Sequence, residues 1–317
     1  MSNTPTHPLA IGIDFGGTSV KIGVCQGSEI IEKVEPIVTS DYSGAAPMIG
    51  VINEAITSLR KRYPDIKTIG AGMPGFVNWS TGEVHALTNV QGWEGVNLRE
   101  QLHISTSLPC IVENDANAMT YAEWKFGAGR GRDYLLAITL GTGVGGGLIL
   151  DGQLYRGATY GAGEVGQISI DFRGRKGGHG NHGALERYVG NGSFTRMAHS
   201  RYEGSGEQRT LAECRPDLIA NLAGEGDPVA IDIWKQVAER LAVGIANVLW
   251  VMNLDCVVIG GGMAKADDLL FAPLQAHLED QMDPAFTNCV QIIHAHFGNE
   301  AGLIGAAALA VNELDQA

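Results

Sequence analysis

Short apolar runs that end in glycine turns recur along this chain. Leu9 to Ile13 is one such run, a Gly-Gly turn follows it, and Val20 to Cys25 forms a second apolar run. The same order returns between residues 134 and 150, where a Gly-Thr-Gly turn separates two apolar runs. Runs of this length are typical of buried strands. The pattern predicts two β-turn-β units, although the first one alone is equally compatible with an ordinary hairpin.

Apolar residues that recur three and four positions apart predict helices elsewhere in the chain. The predicted helices span residues 45–63, 116–126, 227–252 and 301–312. Further strands are expected at residues 30–38, 66–71, 110–114, 255–259 and 290–296. Strands that alternate with helices in this way are typical of an α/β protein.

Composition and charge narrow the class of protein. The chain has 317 residues, of which 44% are hydrophobic and 18% charged, so a globular protein with two domains is expected. Its formal net charge of −13 argues against nucleic acid or an anionic membrane as the main partner. The chain shows neither an apolar run long enough to cross a membrane nor a signal peptide. Its five scattered cysteines predict buried free thiols, and a cytoplasmic protein fits best.

A carboxylate beside a glycine turn is the first candidate for a functional site. Asp14 ends the first apolar run, and Gly16 and Gly17 follow it. Because glycine has no Cβ, backbone amides in such a turn can approach an anion closely. A nearby carboxylate can hold Mg²⁺, usually through water. The second turn, at residues 141–143, again places glycines between two apolar runs, which suggests two similar halves that face one nucleotide.

Asp115 is the second candidate, at the junction between a short strand and the helix predicted from residue 116. We expect Asp115 at the N-cap of this helix, a common position for aspartate, so a purely structural role is one explanation. A carboxylate in this place can also act as a general base. The residue type alone is compatible with both roles.

Together with the two turns, the string Glu113-Asn-Asp-Ala-Asn117 and the three glycines 260–262 after an apolar strand resemble the ROK family of sugar kinases and repressors. The resemblance runs over residues 9–312. It implies an α/β fold of two actin-like ATPase (ribonuclease H-like) domains with an interdomain cleft. The expected domains are residues 1–127 plus 301–317, for sugar and the first phosphate loop, and 128–300, for the second phosphate loop and adenosine. The resemblance also implies a homodimer.

The resemblance further implies which residues hold the sugar. Asp115 would be the base that takes the proton from the C6 hydroxyl of a hexose as that oxygen attacks the γ-phosphate of ATP. Trp93 is expected to be a packing residue, as aromatic residues usually are. The residues expected to contact the sugar are Gly75, Asn89, Asn114, Asp115, Glu164, Gln167 and Glu186.

A second set of residues would hold ATP and Mg²⁺. Asp14 is expected to hold Mg²⁺ through water. The residues expected to bind the nucleotide are Asp14, Gly16, Gly17, Thr18, Lys21, Gly141, Thr142, Gly143, Gly260, Gly261 and Gly262.

The chain departs from the family pattern at its zinc motif. Family kinases usually bind one zinc through a histidine and three cysteines, and those positions are Gln167, Gly177, His179 and Ala184 here. Only His179 could bind zinc, and a structural site needs four ligands. We therefore expect no structural zinc and a loop that packing and hydrogen bonds hold instead. Gln167 has donor and acceptor atoms but does not titrate, so the sugar preference is expected to differ from that of a standard glucokinase.

The sequence favours an ATP-dependent hexose 6-kinase, with glucose as the first candidate. Mannose, fructose, allose, N-acetylmannosamine and N-acetylglucosamine remain alternatives. Polyphosphate is an alternative donor, because Arg130, Arg132, Arg173, Arg175 and Lys176 could form a basic track, although solvated loop charges explain them as well. A sugar-sensing regulator is least favoured, since such members carry an N-terminal helix-turn-helix and eight residues precede the first strand here.

Overall fold

The computed structural model describes residues 7–86 and 92–316. They form two compact units. The first unit lies within Met1–Gly131, Gly147–Ala162 and His296–Ala317, and the second comprises Arg132–Gly146 and Gly163–Ala295. Residues 128–131, 147–162 and 296–300, which were expected in the second domain, belong to the first unit.

The strands follow the predicted apolar runs. In chain order they are β1 (Leu9–Phe15), β2 (Ser19–Gln26), β3 (Glu29–Lys33), β4 (Ile37–Val38), β5 (Thr68–Met73), β6 (Phe76–Asn78), β7 (Glu83–Ala86), β8 (Val96–Asn97), β9 (Cys110–Asn114), β10 (Leu135–Leu140), β11 (Val144–Leu150), β12 (Gln153–Tyr155), β13 (Cys256–Gly260) and β14 (Gln291–His294). The single strand predicted over residues 30–38 is two strands, β3 and β4, which pair with different parts of β2.

The helices in chain order are α1 (Ala45–Arg62), α2 (Leu98–Thr106), α3 (Asp115–Lys125), α4 (Glu186–Val189), α5 (Asn191–Ser205), α6 (Pro216–Gly224), α7 (Pro228–Met252), α8 (Asp268–Gln281), α9 (Pro284–Thr287) and α10 (Ala301–Gln316). The long helix α7 begins as predicted. The carboxylate of Asp227 caps it by accepting hydrogen bonds from the backbone N–H of Val229 at 2.8 Å and of Ala230 at 3.1 Å. Among the described residues, none of these helices is both long and apolar enough to cross a membrane.

The main sheet of the first unit has the order β3-β2-β1-β5-β9, and β4 pairs with β2 beside it. The strands β1, β5 and β9 run parallel, so their carboxyl ends meet at one edge. On one face, Ile52, Ile56 and Leu59 of α1 are buried in the core that the sheet residues form. Trp93 is fully buried, and its ring lies 5.1 Å edge-on from that of Phe15, which confirms its expected packing role.

The last helix, α10, packs directly on the backbone of β1 and β5. A Cβ at Gly70 would overlap the backbone carbonyl of Ala306, and one at Gly12 would overlap that of Leu303. Only glycine permits an approach this close between helix and strand. The residues just before α10 are held by Glu123, a fully buried residue of α3 whose carboxylate accepts hydrogen bonds from the backbone N–H of His296 at 2.9 Å and of Phe297 at 2.8 Å.

In the second unit, β10, β13 and β14 run parallel in adjacent positions, and β11 lies next to β10. The strand β11 begins in the second unit and ends in the first, where Leu148 pairs with Tyr155 of β12. The helix α7 covers the core of the second unit with a row of buried apolar residues, among them Ile233, Val237 and Leu241.

All five cysteines lie within the described residues and are free thiols, as predicted. Four of them are buried, and Cys289 is exposed. Burial raises the pKa of the Cys25 thiol to about 12 and those of Cys110 and Cys256 to about 11. At neutral pH these thiols are therefore protonated and unreactive.

Candidate functional site

The parallel register of the first unit brings several predicted site residues to one edge of the sheet. Asp14 of β1 pairs with Gly72 of β5, and Gly72 in turn pairs with Glu113 of β9. The next pair along the same edge is Met73 with Asn114. Side chains that follow the carboxyl ends of adjacent parallel strands converge in this way in α/β proteins generally.

Asp14 lies partly buried at this edge and forms an ion pair with Lys21. The Nζ atom of Lys21 donates to Asp14 Oδ2 at 3.0 Å and to the backbone carbonyl of Asn299 at 2.7 Å. The Asp14 carboxylate also lies against Gly302, in the first turn of α10. Between β1 and β2, the turn closes through a hydrogen bond from Gly16 N–H to the carbonyl of Ser19 at 2.9 Å.

The turn itself faces solvent at two residues. Gly17 and Thr18 are exposed, and the hydroxyl of Thr39 donates to the Gly17 carbonyl at 3.0 Å. The outward position leaves room for an anion beside the backbone of this turn.

At the start of α3, the structure corrects one expectation. Asn114, not Asp115, is the N-cap: its Oδ1 accepts from the backbone N–H of Asn117 at 3.0 Å. Asp115 is the first residue of the helix, partly exposed, and its Oδ1 accepts from the N–H of Ala116 at 2.8 Å. The Nδ2 of Asn114 donates to the carbonyl of Gly75 at 3.1 Å. Three predicted sugar residues, Gly75, Asn114 and Asp115, therefore lie together.

Next to them lies an ion pair that no local sequence pattern predicts. Arg156 Nε donates to Glu113 Oε2 at 2.6 Å, and the Glu113 side chain is only 2% exposed. Glu113 Oε1 accepts from the backbone N–H of Asn114 at 2.9 Å and from Asn117 Nδ2 at 3.0 Å. The guanidinium of Arg156 stacks on the ring of Trp79, 4.2 Å from its centroid. This network fixes the backbone from which Asn114 and Asp115 project.

In the second unit, two glycine turns lie side by side after β10 and β13. Thr139 pairs with Gly260 at the ends of these parallel strands. Gly261, with φ of +88°, packs against the backbone of Leu140, where a Cβ would collide with it. Gly141 begins the other turn. The backbone N–H of Gly141 donates to the carbonyl of Gly143 at 3.0 Å.

The start of α5 braces the turn at residues 141–143. The backbone N–H of Asn191 donates to the carbonyl of Gly141 at 2.9 Å. Thr142 is exposed, and the carboxylate of Glu186 lies close to Gly143. Glu186, a predicted sugar residue, and the predicted phosphate loop at residues 141–143 are thus neighbours within the second unit.

Glu164, Gln167 and Glu186 form the other predicted sugar set. Burial raises the pKa of Glu164 above its ordinary value of 4.5; the positive charge of His179 opposes this shift and the negative charge of Glu186 adds to it. Gln167 follows Glu164 in a short 3-10 helix, where its N–H donates to the Glu164 carbonyl at 3.0 Å. The Oε1 atom of Gln167 is buried and lacks a hydrogen-bond donor among the described residues.

The loop at the zinc-motif positions is closed by hydrogen bonds. Gly177 N–H donates to the carbonyl of Asn181 at 2.7 Å, and Asn181 Nδ2 donates to the carbonyl of Gln167 at 2.7 Å. Gly183 N–H donates to the carbonyl of Arg175 at 2.7 Å. Across residues 7–86 and 92–316, the structure contains no group of three or more His, Cys, Asp or Glu side chains that could hold a metal ion.

Asn89 lies outside the described residues, so its expected sugar contact stays a prediction. Within the first unit, the structure groups Asp14, Gly75, Asn114 and Asp115 at or next to one sheet edge. Within the second unit, it groups the glycine turns with one another and with Glu186.

Comparison with known proteins identifies the relatives of the chain. A model of the ROK family matches residues 10–313. The glucokinase of Halalkalibacterium halodurans is 34% identical over 310 residues, which cover 93% of this chain and 92% of that protein. The glucokinase of Streptomyces coelicolor is 32% identical over 312 residues, with coverage of 95% and 97%.

The structure also resembles solved structures of this family. The ROK family glucokinase from Streptomyces griseus, in complex with glucose and AMPPNP, matches with a TM-score of 0.80 and 29% identity, and the match covers 96% of this chain and 99% of that one. Regulators are similar too: the repressor Mlc of Escherichia coli is 25% identical over 305 residues, 95% of this chain and 75% of the repressor. The α/β architecture is the actin-like ATPase fold of these kinases. The matched family model spans nearly the whole chain, and the chain belongs to the ROK family.

Proposed function

We propose that this protein is an ATP-dependent sugar kinase that phosphorylates the C6 hydroxyl of a hexose, with glucose as the first candidate. The observation that carries the proposal is the position of Asp115. Its carboxylate begins α3 directly after β9, next to Asn114 and beside the strand end that bears Asp14. The relatives named glucokinase support the choice of sugar.

In the proposed reaction, Asp115 accepts the proton of the C6 hydroxyl while that oxygen attacks the γ-phosphate of ATP. The bond between the γ-phosphorus and the bridging oxygen breaks, and ADP leaves. Glu113 and Arg156 do not take part in the proton transfer. They hold the backbone of residues 114 and 115 so that the base keeps one orientation.

Both hydrogen-bond acceptors and a hydrogen-bond donor of the protein would hold the sugar. The carboxylates of Glu164 and Glu186 accept from hydroxyl groups, and the remaining Nδ2 hydrogen of Asn114 donates to one. The Oε1 atom of Gln167 is buried and has no donor in the described part of the chain, so a sugar hydroxyl would supply one once this side chain turns towards the sugar. This acceptor is the feature by which the sugar preference would depart from that of relatives with histidine at this position.

ATP would be bound by the backbone amides of the glycine turns at residues 16–17, 141–143 and 260–262. The single carboxylate of Asp14 fits Mg²⁺, because this ion is usually held by one or two carboxylates and water while phosphates supply other ligands. Bound there, Mg²⁺ would neutralise phosphate charge. Lys21, which now neutralises Asp14 at 3.0 Å, would compete with the ion or turn towards phosphate.

The test is a coupled assay of ADP release with a panel of hexoses and N-acetylhexosamines, and with ATP or polyphosphate as donor. We expect ATP-dependent turnover that is fastest with glucose. Asp115→Asn should lower kcat by about 100-fold to 10,000-fold, the usual contribution of a general base, while sugar binding persists. Asp65→Asn, an exposed aspartate of the same unit, is the matched control and should keep full activity.

Two outcomes would contradict the proposal. Full turnover by Asp115→Asn would remove the assignment of the base. Sugar binding without ADP release, for every sugar and both donors, would instead favour the regulator alternative, which the similarity to the repressor Mlc keeps in view.

A further inference from the structure

Five arginines line one surface cavity of the second unit, and none of the residues that line it is proposed to hold sugar or ATP. The cavity has a volume of about 720 Å³. Its arginines are Arg175, Arg187, Arg196, Arg201 and Arg240. They come from the helices α4, α5 and α7 and from the loop before α4. The whole chain carries only 22 lysines and arginines against 35 acidic residues, so this concentration of positive charge is not a general property of its surface.

Carboxylates do little to neutralise these arginines. Arg201 Nη2 lies 3.5 Å from Asp232 Oδ2, but both side chains are at least half exposed. Arg175 Nη1 donates to a carbonyl, that of Arg187, at 2.9 Å, and Arg196 Nη2 donates to the Ser193 hydroxyl at 3.3 Å. Neutral groups therefore orient two of the guanidinium groups and leave their charge in place.

Arg240 shows the resulting repulsion most clearly. Burial lowers its pKa, and the charges of Arg175 and Arg201 lower it further, although Glu239 and Tyr188 act in the opposite direction. Its guanidinium lies 5.7 Å from the ring centroid of Tyr188, with Arg175 on the same ring at 5.1 Å. Two like charges share one aromatic ring, an arrangement that a bound anion would stabilise.

We propose that this arginine cavity binds a small anion that carries one or more phosphate groups. The forked N–H donors of arginine match phosphate oxygens in pairs, which makes arginine the usual residue for phosphate recognition. Ser200 and Gln236 also line the cavity and add neutral hydrogen-bonding groups for the remainder of the ligand. A volume of about 720 Å³ accommodates a sugar phosphate or a short chain of phosphates.

Isothermal titration calorimetry with inorganic pyrophosphate tests the proposal. The titration is done with the full chain in the absence of nucleotide, and the arginine variants separate binding in the cavity from binding at the glycine turns. Parallel titrations with inorganic phosphate and with glucose 6-phosphate, at equal ionic strength, distinguish an inorganic polyanion from a sugar phosphate. Because binding is measured directly, the result does not depend on whether the protein is a kinase.

The variant is Arg196→Gln combined with Arg201→Gln, two exposed residues of α5. We expect it to weaken binding of pyrophosphate or glucose 6-phosphate by about tenfold for each arginine removed. Lys235→Gln, an exposed cation on α7 outside the cavity, is the matched control and should bind as the unchanged protein does. Arg187→Gln should reproduce the weakening in part.

Equal affinity in the double variant and the unchanged protein would overturn the proposal. So would the absence of heat with all three phosphates at millimolar concentration, or an equal weakening by Lys235→Gln, which would indicate a general charge effect. Circular dichroism of each variant verifies its fold, and Arg187→Gln keeps the test decisive if the double variant does not fold.

Discussion

The buried pair of Glu113 and Arg156 offers the sharpest quantitative test of the structure. Glu113→Gln keeps the shape of the side chain and removes its charge, so that an amide group must face Arg156 Nε in place of the carboxylate oxygen at 2.6 Å. Arg156→Gln removes the other charge and also the contact with the Trp79 ring. The double variant removes both charges together.

The expected loss in the free energy of unfolding follows from the burial of the two side chains. The side chains are 2% and 18% exposed, so water replaces little of the lost interaction when one partner is removed. Breaking a buried pair in this way costs about 3–5 kcal/mol of the free energy of unfolding. Glu113→Gln retains an oxygen for the N–H of Asn114 and for Asn117, so we expect about 3 kcal/mol. The double variant should lose less than the sum of the two single variants, with a coupling energy of about 2 kcal/mol.

The assay is urea denaturation followed by circular dichroism, with the free energy of unfolding taken for all four proteins of the cycle. A matched control exists in the same unit: Arg62 Nη2 and Glu32 Oε1 are also 2.6 Å apart, but the side chains are 45% and 32% exposed. The same cycle on that pair should give a coupling near zero, because solvent screens exposed charges. Equal coupling in the two cycles, or strict additivity for Glu113 and Arg156, would refute the argument from burial.

Three further predictions concern other parts of the chain. An NMR titration should give Glu164 a pKa above 4.5. This pKa should fall in Glu186→Gln, which removes a like charge, and rise in His179→Ala, which removes an opposite charge. The ionised carboxylate is the penalised form in the folded state, so this group favours folding below its unfolded pKa, and that contribution is lost as pH rises through the higher folded pKa. Glu123→Ala leaves three backbone N–H groups without their acceptor and should lower the free energy of unfolding in urea by about 3–5 kcal/mol, with partial recovery in Glu123→Gln. Iodoacetamide at pH 8 should label Cys289 alone, as mass spectrometry can show, whereas early labelling of the buried cysteines would contradict their raised pKa values.

Local patterns were sufficient for most of the elements. The spacing of apolar residues predicted α1 to within one residue of its end, and an aspartate followed by proline predicted the start of α7. The glycine turns were also found, because a short apolar run that stops at glycine is a local signal. The mixed α/β class and the family were therefore predicted correctly from the sequence.

The N-cap of α3 could not be decided in the same way. Asn114 and Asp115 are adjacent, and both residue types cap helices well. The choice depends on where β9 ends, and that point is set by the pairing of Asn114 with Met73, a strand neighbour distant in sequence. Side-chain preference alone carries no information about this register.

Two arrangements of residues that are distant in sequence were missed. Arg156 follows Glu113 by 43 positions, and neither residue belongs to a periodic pattern that would link them. The same holds for the arginine cavity, where four elements each contribute one or two cations to a common space. Such arrangements arise from the packing of elements, which the sequence specifies only through the completed fold.

The position of α10 has a consequence for synthesis on the ribosome. This helix completes the layer against β1 and β5, yet it begins some 290 positions after the start of β1. Until the residues of this helix emerge, the bare strip of backbone around Gly12 and Gly70 has no cover, and its apolar neighbours face water. The sheet of the first unit can therefore mature only after residues 301–316 have left the ribosome, and nascent chains stalled before residue 301 should be held by chaperones or degraded.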